Sequence, residues 1–156
     1  MSRIDALAYL GIGSNLAVPT RQVRRALRWV KHRYGITEVR CSRLVFNAPV
    51  GPPQPYYVNA VAAIRTFLGP VQLLDALQEL ERAANRQRTA HWGARTLDLD
   101  LLLYEDLILN HPRLKLPHPR MHERPFVLRP LVELSPNVRH PVLDQTASDL
   151  LRSVGQ

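Results

Sequence analysis

Hydrophobic and polar positions along the chain follow two periods, one typical of strands and one typical of helices. Short apolar or alternating runs predict strands over residues 6–12, 39–46, 57–67 and 96–104. Apolar residues at spacings of three and four predict helices over residues 19–34, 71–84, 125–134 and 144–151. Gly35 and the pair Gly69-Pro70 separate these segments, and Pro117-His118-Pro119 interrupts the chain after the last strand.

The order strand, helix, strand, strand, helix, strand predicts an α+β fold of the ferredoxin-like, split βαβ type. In this arrangement a mostly antiparallel sheet packs against helices on one face. A doubly wound parallel sheet fits less well, because residues 47–55 join two strands without a helix between them. Without a repeat, a low-complexity tract or a linker-like stretch, residues 1–156 are expected to form a single domain.

The stretch Thr96 to Tyr104 carries the strongest chemical signal. Successive side chains of a strand point to opposite faces. The leucines at alternate positions should therefore face the core: Leu97, Leu99, Leu101 and Leu103. Asp98 and Asp100 share the opposite face, about 6.5–7 Å apart along the strand. Two ionised carboxylates this close repel each other unless a cation lies between them.

Magnesium is the cation that this pair suits, because it prefers oxygen ligands and usually takes one or two carboxylates together with substrate phosphates. Two such ions could share the pair and hold both sides of a phosphoryl displacement. The simpler alternative is that both aspartates only face water. Three arginines lie nearby in the sequence: Arg95 just before the pair, and Arg86 and Arg88 before Trp92. Their positive charge favours a ligand richer in negative charge than two metals can neutralise, such as a polyphosphate.

Composition narrows the class of protein. Hydrophobic residues make up 46 % of the chain and charged residues 22 %, a globular balance. No apolar run approaches the roughly 20 residues needed to cross a bilayer, no secretory signal is recognisable, and Cys41 is the single cysteine. We therefore expect a cytoplasmic protein without a membrane partner. The net charge of +8 favours binding to an acidic partner. The basic segment 21–33, however, is best interpreted as a helix face exposed to solvent.

Two familiar phosphate-binding motifs are missing. Gly11-Ile12-Gly13 follows a strand but lacks the third glycine of a dinucleotide fingerprint, and no Walker loop is present. His118 stands alone between two prolines, so it is a candidate phosphate donor rather than a metal ligand.

Taken together, the motifs resemble those of the 6-hydroxymethyl-7,8-dihydropterin pyrophosphokinases of folate biosynthesis. The matching segments run in the family's order over nearly the whole chain: LGIGSNL at 10–16, Gln54 with YVNA at 57–60, Glu81 with Arg86 and Arg88, WGARTLDLD at 92–100, PHPR at 117–120 and RPFVL at 124–128. The motif W-G-x-R-T-L-D-L-D is specific. The resemblance implies a ferredoxin-like fold and the reaction in which ATP and the hydroxymethyl-dihydropterin give AMP and the pterin diphosphate.

The resemblance also implies roles for matching residues. Asp98 and Asp100 would hold two magnesium ions, one of which lowers the pKa of the pterin hydroxyl for attack on the β-phosphorus. Arg86 and Arg95 would act with them in catalysis. The residues implied at ATP are Gln78, Glu81, Arg88, Trp92, Leu101, Arg113, His118 and Arg124, with Trp92 and its loop closing over the nucleotide. Asn59 would read the pterin edge, Tyr57 and Phe126 would stack on the ring, and Val50 would line the same site.

The chain departs from the family pattern at a few positions. Asn85 stands where the family usually has glycine, His91 where it usually has arginine, and the loop 47–51 lacks the usual threonine. Two alternatives remain open from the residues themselves. One is an RNA-binding ferredoxin-like domain, which the aspartates on its sheet argue against, and the other is a magnesium-dependent nuclease. The preferred interpretation expects small-molecule substrates, no nucleic acid, and a monomer, with a dimer as the alternative.

Overall fold

The computed structural model describes residues 5–15, 18–47, 57–86 and 97–155. Its main sheet contains five strands: β1 (Ala6–Ser14), β2 (Ile36–Cys41), β3 (Val45–Asn47), β4 (Tyr57–Thr66) and β5 (Leu97–Tyr104). Every pairing is antiparallel, with β1 between β4 and β5, and with β2 and β3 both paired to β4. The order β2–β4–β1–β5 places β5 at one edge of the sheet. The predicted α+β, mostly antiparallel architecture is confirmed.

Four helices and two small hairpins complete the described fold. The helices are α1 (Pro19–Lys31), α2 (Pro70–Arg86), α3 (Pro125–Leu134) and α4 (Ala147–Ser153), and a 3₁₀ turn, Met121–Glu123, precedes α3. The hairpins pair β6 (Leu109–Asn110) with β7 (Lys115–Leu116), and β8 (Arg139–His140) with β9 (Gln145–Thr146). These two-residue strands were not predicted, because they are too short to show an alternating pattern.

Local chemistry explains where the helices begin and end. Pro19 and Pro125 occupy the first turns of α1 and α3, where proline's missing N–H costs nothing. Thr146 and Asp149 form a capping box at the start of α4. For this reason α4 begins at Ala147 rather than at the predicted residue 144. Gly35 has a φ of 94° and lies against Leu68, so a larger residue could not end the α1 segment there.

Each face of the sheet has its own hydrophobic core. On the first face, α1 and α2 pack through Val23, Val30, Leu73 and Leu77 against residues of β1, β4 and β5. On the second face, α3 and α4 pack against Val61, Ala63 and Leu103, together with Tyr9 and Leu102. The prediction of helices on one face is therefore wrong. The alternation of apolar residues in the predicted strands correctly indicated one covered face. The positions between them, which point to the other face, also carry buried side chains.

A β-bulge divides β5 into two parts. Leu101 pairs with Leu10 and Leu103 pairs with Tyr9, so Leu102 is the extra residue. Leu97, Leu99 and Leu101 belong to the first core as predicted, whereas Leu103 lies in the second. The prediction that all four leucines share a face is wrong for Leu103, because a bulge shifts the alternation by one residue.

The remaining differences concern element boundaries. The predicted strand 39–46 is two strands that begin earlier, at Ile36, and separate at residues 42–44. The strand predicted over 6–12 continues to Ser14, and the helix predicted over 19–34 ends at Lys31. Thr96, predicted to begin β5, lies outside the described residues. Within the described part of the chain, no helix is both long and apolar enough to cross a membrane.

Candidate active site

Asp98 and Asp100 project from β5 toward the second face of the sheet, at the end that α3 and α4 leave uncovered. Both are half-buried, while Leu97, Leu99 and Leu101 between and beside them are buried in the first core. Their partners across the β1 pairing are Gly13 and Gly11. Because glycine has no side chain, β1 contributes only backbone to this part of the surface. The predicted placement of both aspartates on one face is confirmed.

A first cavity of about 410 Å³ opens over these residues. Its walls come from the starts of β4 and α3 and from β1, β3 and β5, and its lining includes Asn47, Tyr57, Asn59, Asp98, Asp100, Arg124 and Phe126. The Tyr57 hydroxyl donates a hydrogen bond of 2.5 Å to Asp98 Oδ2. The Arg124 guanidinium lies 5.8 Å from the centre of the Phe126 ring. Tyr57, Asn59 and Phe126, which the resemblance assigned to one substrate, are thus brought together.

Asn47 is a lining residue that sequence reasoning passed over. Its Nδ2 is buried, and among the residues that the structure describes it has no hydrogen-bond partner. A buried amide donor without a partner costs about 1–3 kcal/mol unless a ligand or water satisfies it. The sequence signal was weak, because Asn47 stands at the start of a loop where asparagine is common in turns.

A second cavity of about 320 Å³ lies on the other side of Asp100. It is formed by α2, β5 and the segment from Pro112 to Pro119, and its lining includes Gln78, Glu81, Leu101, Arg113 and His118. Arg113 donates to Gln78 at 2.9 Å and forms an ion pair with Asp75 at 2.6 Å. Five of the described residues that the resemblance placed around adenosine or phosphate therefore lie around one opening, whereas Arg124 lines the first cavity.

Asp100 lines both cavities. Burial raises the pKa of Asp100, with neighbouring Asp98 acting in the same direction, while His118 and Arg124 oppose the shift. Burial lowers the pKa of His118, an effect that Asp100 opposes and the cations Arg124 and Arg120 reinforce. His118 Nδ1 accepts from the Arg120 N–H at 3.1 Å, so its Nε2 is the nitrogen left to donate. Burial and the neighbouring charges therefore act in opposite directions on Asp100, which lies where the two cavities meet.

Glu81 has a structural contact that its predicted nucleotide role does not include. Its Oε2 accepts a hydrogen bond of 2.7 Å from the backbone N–H of Leu99, between the two aspartates. Burial raises the pKa of Glu81, the Leu99 hydrogen bond lowers it, and Asp98 and Asp100 raise it. Glu81 therefore belongs to the support of β5 as well as to the wall of the second cavity.

The described residues contain no cluster of three or more histidine, cysteine, aspartate or glutamate side chains that could hold a metal by themselves. The protein offers a pair of carboxylates instead. This donor set fits magnesium, which commonly takes one or two carboxylates and completes its six oxygen ligands with water and substrate phosphates. It does not fit zinc, which usually takes four protein ligands at a structural site and three at a catalytic one.

Several predicted residues fall outside the described ranges: Val50, Arg88, Trp92 and Arg95. The backbone of Arg86 forms the last residue of α2. Arg124 lines the first cavity beside Phe126, and its charge also acts on Asp100 and His118.

The chain is similar to known proteins over most of its length. A family model described as 7,8-dihydro-6-hydroxymethylpterin-pyrophosphokinase matches residues 9–136. A Pseudomonas aeruginosa protein named 2-amino-4-hydroxy-6-hydroxymethyldihydropteridine pyrophosphokinase is 47 % identical to this chain over 134 residues. The alignment covers 85 % of this chain and 83 % of that protein. In Haemophilus influenzae a protein of the same name is 44 % identical over 135 residues, covering 86 % and 84 %.

Solved structures share the fold. A crystal structure of Plasmodium falciparum HPPK-DHPS superposes with a TM-score of 0.72, covering 97 % of this chain and 46 % of that one at 14 % identity. An HPPK-DHPS structure described as in complex with substrates gives a TM-score of 0.73, with 96 % and 43 % covered at 11 % identity. At these identities the likeness concerns the fold, which is the predicted ferredoxin-like α+β type.

Proposed function

The chain belongs to the 7,8-dihydro-6-hydroxymethylpterin-pyrophosphokinase family, and from this premise we propose that its two cavities divide the substrates of one reaction. The reaction is ATP-dependent transfer of a diphosphoryl group to 6-hydroxymethyl-7,8-dihydropterin in folate synthesis. The β-phosphorus of ATP forms a bond to the hydroxymethyl oxygen, its bond to the α-phosphate oxygen breaks, and the hydroxyl proton is released. The products are AMP and the pterin diphosphate.

The observation that carries the proposal is the position of Asp100 on both cavity walls. In this reaction the two substrates must meet at the β-phosphorus of ATP. A carboxylate shared by both openings marks the place where a phosphate chain entering from one side would reach a hydroxyl entering from the other. Asp98, on the same face and hydrogen-bonded to Tyr57, extends the negative site toward the first cavity.

We assign the pterin to the first cavity. Tyr57 and Phe126 offer aromatic surface for offset stacking on a flat heterocycle. Asn59 can pair a donor and an acceptor with the ring edge, and the buried Asn47 Nδ2 would gain a partner in a ring acceptor. Val50 completes this set as a prediction outside the described residues.

We assign ATP to the second cavity. Gln78 and Glu81 would face the adenosine, with the backbone of Leu101 beside them, and His118 Nε2 would donate to a phosphate oxygen. Arg124 and Arg113 add positive charge near the phosphate path. Arg86, Arg88, Trp92 and Arg95 are proposed to act on the phosphates as well, from the chain segment that leads into β5.

Asp98 and Asp100 are the residues that would hold magnesium, and two ions are proposed. Magnesium bound there would neutralise charge on the phosphates and would lower the pKa of the pterin hydroxyl. The side chains of the two cavities orient the substrates so that the hydroxyl oxygen and the β-phosphorus are in contact, which removes much of the entropic cost of bringing them together. A cytoplasmic location, a monomeric state and the lack of a nucleic-acid partner remain predictions.

The test is the stoichiometry of products. The protein incubated with ATP, magnesium chloride and 6-hydroxymethyl-7,8-dihydropterin should form AMP and pterin diphosphate in equal amounts, measured by ion-exchange chromatography. Formation of ADP, or the lack of AMP, would contradict the proposal. A parallel incubation with magnesium and single-stranded RNA or DNA but without ATP tests the nuclease alternative, for which cleavage would be required.

A further inference from the structure

Strand β5, which carries Asp98 and Asp100, is the edge strand of the sheet. One of its edges is paired with β1, and the first part of the other edge meets side chains of α2. An edge strand presents a row of backbone N–H and C=O groups that lack a partner strand. The position of the two carboxylates therefore depends on how this second edge is held.

Side chains of α2 take the place of a partner strand at this edge. Asn85 Oδ1 accepts from the Leu97 N–H at 3.1 Å, and Asn85 Nδ2 donates to the Leu97 carbonyl at 3.4 Å. One turn earlier, Glu81 Oε2 accepts from the Leu99 N–H at 2.7 Å. The Asn85 amide thus makes the pair of bonds that a neighbouring strand residue would make.

The spacing of the two elements explains why these contacts form together. Residues four apart on a helix share a face and are about 6 Å apart along the axis. Alternate residues of a strand are about 6.7 Å apart and direct their backbone groups to the same side. Glu81 and Asn85 of α2 can therefore match Leu99 and Leu97 of β5, with the helix and strand running in opposite directions.

The two contacts lie on either side of Asp98, at Leu97 and Leu99. Asp98 and Asp100 lie opposite Gly13 and Gly11 of β1, while Leu97 is bound to α2 by Asn85. The backbone before Asp98 is thereby fixed from both edges. Asn85 is half-buried beside Leu97, which is only 4 % exposed, so water is a poor replacement for the amide.

We propose that Asn85 is a positioning residue for diphosphoryl transfer, acting through the backbone of Leu97 to hold the Asp98 carboxylate in place for magnesium. This inference rests on the proposed function of the two aspartates. An asparagine is suited to the task because its amide provides one acceptor and two donors, so it can satisfy both the N–H and the C=O of Leu97. Alanine and glycine can satisfy neither.

The variant that tests the proposal is Asn85→Ala, with Gln72→Ala as the matched control. Gln72 Oε1 accepts from the Gly69 N–H at 2.9 Å, so the control also removes an amide bond to the backbone, at the opposite end of α2. For Asn85→Ala we expect kcat to fall about tenfold and the magnesium concentration for half-maximal rate to rise about tenfold, as when the partner of a metal ligand is lost. The KM for the pterin should change little.

Two further measurements separate positioning from general stability. Hydrogen exchange of the Leu97 amide, followed by NMR, should become faster in Asn85→Ala and stay unchanged in Gln72→Ala. Asn85→Asp keeps an acceptor for the Leu97 N–H, so it should restore this protection and give a kcat between those of Asn85→Ala and the wild type. The Tm values of Asn85→Ala and Gln72→Ala should be similar.

The proposal is overturned if Asn85→Ala loses Leu97 protection but keeps the wild-type kcat and magnesium dependence, or if Gln72→Ala shows the same kinetic loss. A kcat of Asn85→Asp no higher than that of Asn85→Ala also contradicts it. Magnesium binding is measured separately, from amide shifts of Asp98 and Asp100 in the presence of a nonhydrolysable ATP analogue. If the wild type forms no AMP, the proposed function fails, whereas an unchanged magnesium affinity in Asn85→Ala refutes the role of Asn85 alone.

Discussion

The two faces of the sheet are built from the same strands, but helices cover them to different extents. On the first face, α1 and α2 cover β1, β4 and β5 with a continuous apolar core that includes Leu10, Ile64 and Leu99. On the second face, α3 and α4 cover the half that contains Val61, Ala63 and Leu103. The other half carries Asn59, Asp98 and Asp100, whose neighbours on β1 are two glycines, and the first cavity lies there.

The difference between the faces shows how one sheet can combine stability with a binding site. The first face contributes apolar burial, which is the main favourable term in folding. The uncovered half of the second face holds polar groups whose burial is costly without a ligand. Substitutions on the first face should therefore lower stability and spare catalysis, and substitutions in the uncovered half should do the reverse.

The largest expected effect is that of Asp98→Ala or Asp100→Ala. Either change should lower turnover at least about a thousandfold, because metal stabilisation of transition-state charge is worth several kcal/mol. The free energy of unfolding should change by less than about 1 kcal/mol, since both aspartates are half-buried. Steady-state AMP formation and urea unfolding measure the two quantities.

Asp106→Ala is the control for the aspartate variants, because Asp106 is exposed in the turn that follows β5. It should leave both turnover and stability unchanged. Wild-type turnover in Asp98→Ala or Asp100→Ala would remove the proposed metal site.

The reverse effect is expected on the first face for Leu73→Ala. Leu73 is fully buried between α2 and the sheet, and truncation of a buried leucine typically costs about 2–5 kcal/mol. Urea unfolding should show this loss, while kcat measured on the folded protein stays the same. A large decrease in kcat with unchanged stability would contradict the expectation that the first face serves stability rather than catalysis.

An intermediate effect is expected for Gly13→Ala in the uncovered half. An added Cβ would lie 2.7 Å from Asn59 Oδ1 and 2.8 Å from Tyr57 Cε1, so both side chains would have to move. Displacement of substrate-positioning groups by about 1 Å can cost up to about a hundredfold. We expect at least about a tenfold loss of kcat/KM for the pterin in steady-state kinetics.

Gly69→Ala is the matched control for Gly13→Ala, because among the residues that the structure describes the nearest atom to its added Cβ would be Gln72 Oε1, at 3.6 Å. Its kcat/KM should equal that of the wild type. Equal values for Gly13→Ala would show that β1 does not limit the space of the first cavity.

The smallest expected effect is a pH dependence of stability that arises from His140 in the hairpin of β8 and β9. His140 is 5 % exposed, its Nδ1 accepts from the Val142 and Leu143 N–H groups, and its ring meets that of His122. Burial lowers the pKa of His140, and His122 acts in the same direction. The unfolded chain therefore binds this proton more tightly, so stability falls as the pH decreases below the ordinary histidine pKa of about 6.5.

The variant His140→Asn keeps an acceptor but does not titrate. Urea unfolding between about pH 7.5 and pH 5 should show a steeper loss of stability for the wild type than for this variant. Parallel pH profiles would contradict the assignment of this titration to His140.

Much of the fold could be predicted from periodicity, because long amphipathic segments such as α2 and α3 carry their pattern over several turns. The second core was missed, since Tyr9, Val61 and Ala63 occupy positions that a one-sided sheet would leave to polar residues. The bulge at Leu102 also could not be predicted, because a run of leucines carries no sign of the extra residue. Both features arise from tertiary pairing rather than from local sequence.

The candidate site was predicted best where a residue's own chemistry is specific. Asp98 and Asp100 were proposed as metal ligands from their spacing, and Tyr57, Asn59 and Phe126, which the resemblance assigned to one substrate, line one cavity. From the sequence, Asn85 was noted only as a departure from the family pattern. Its contact could not be predicted, because it is made with backbone atoms, which a sequence motif does not describe. Roles of Val50, Arg86, Arg88, Trp92 and Arg95 remain predictions.

The carboxylates at the junction of the two cavities are proposed to hold the metal that joins the two substrates. A crystal structure of the protein with manganese in place of magnesium, a nonhydrolysable ATP analogue and 6-hydroxymethylpterin tests it directly through anomalous scattering. We expect metal peaks bonded to Asp98 and Asp100 at about 2.1 Å, with the nucleotide beside Gln78 and His118 and the pterin between Tyr57 and Phe126. Both substrates bound with the two carboxylates free of metal would contradict it.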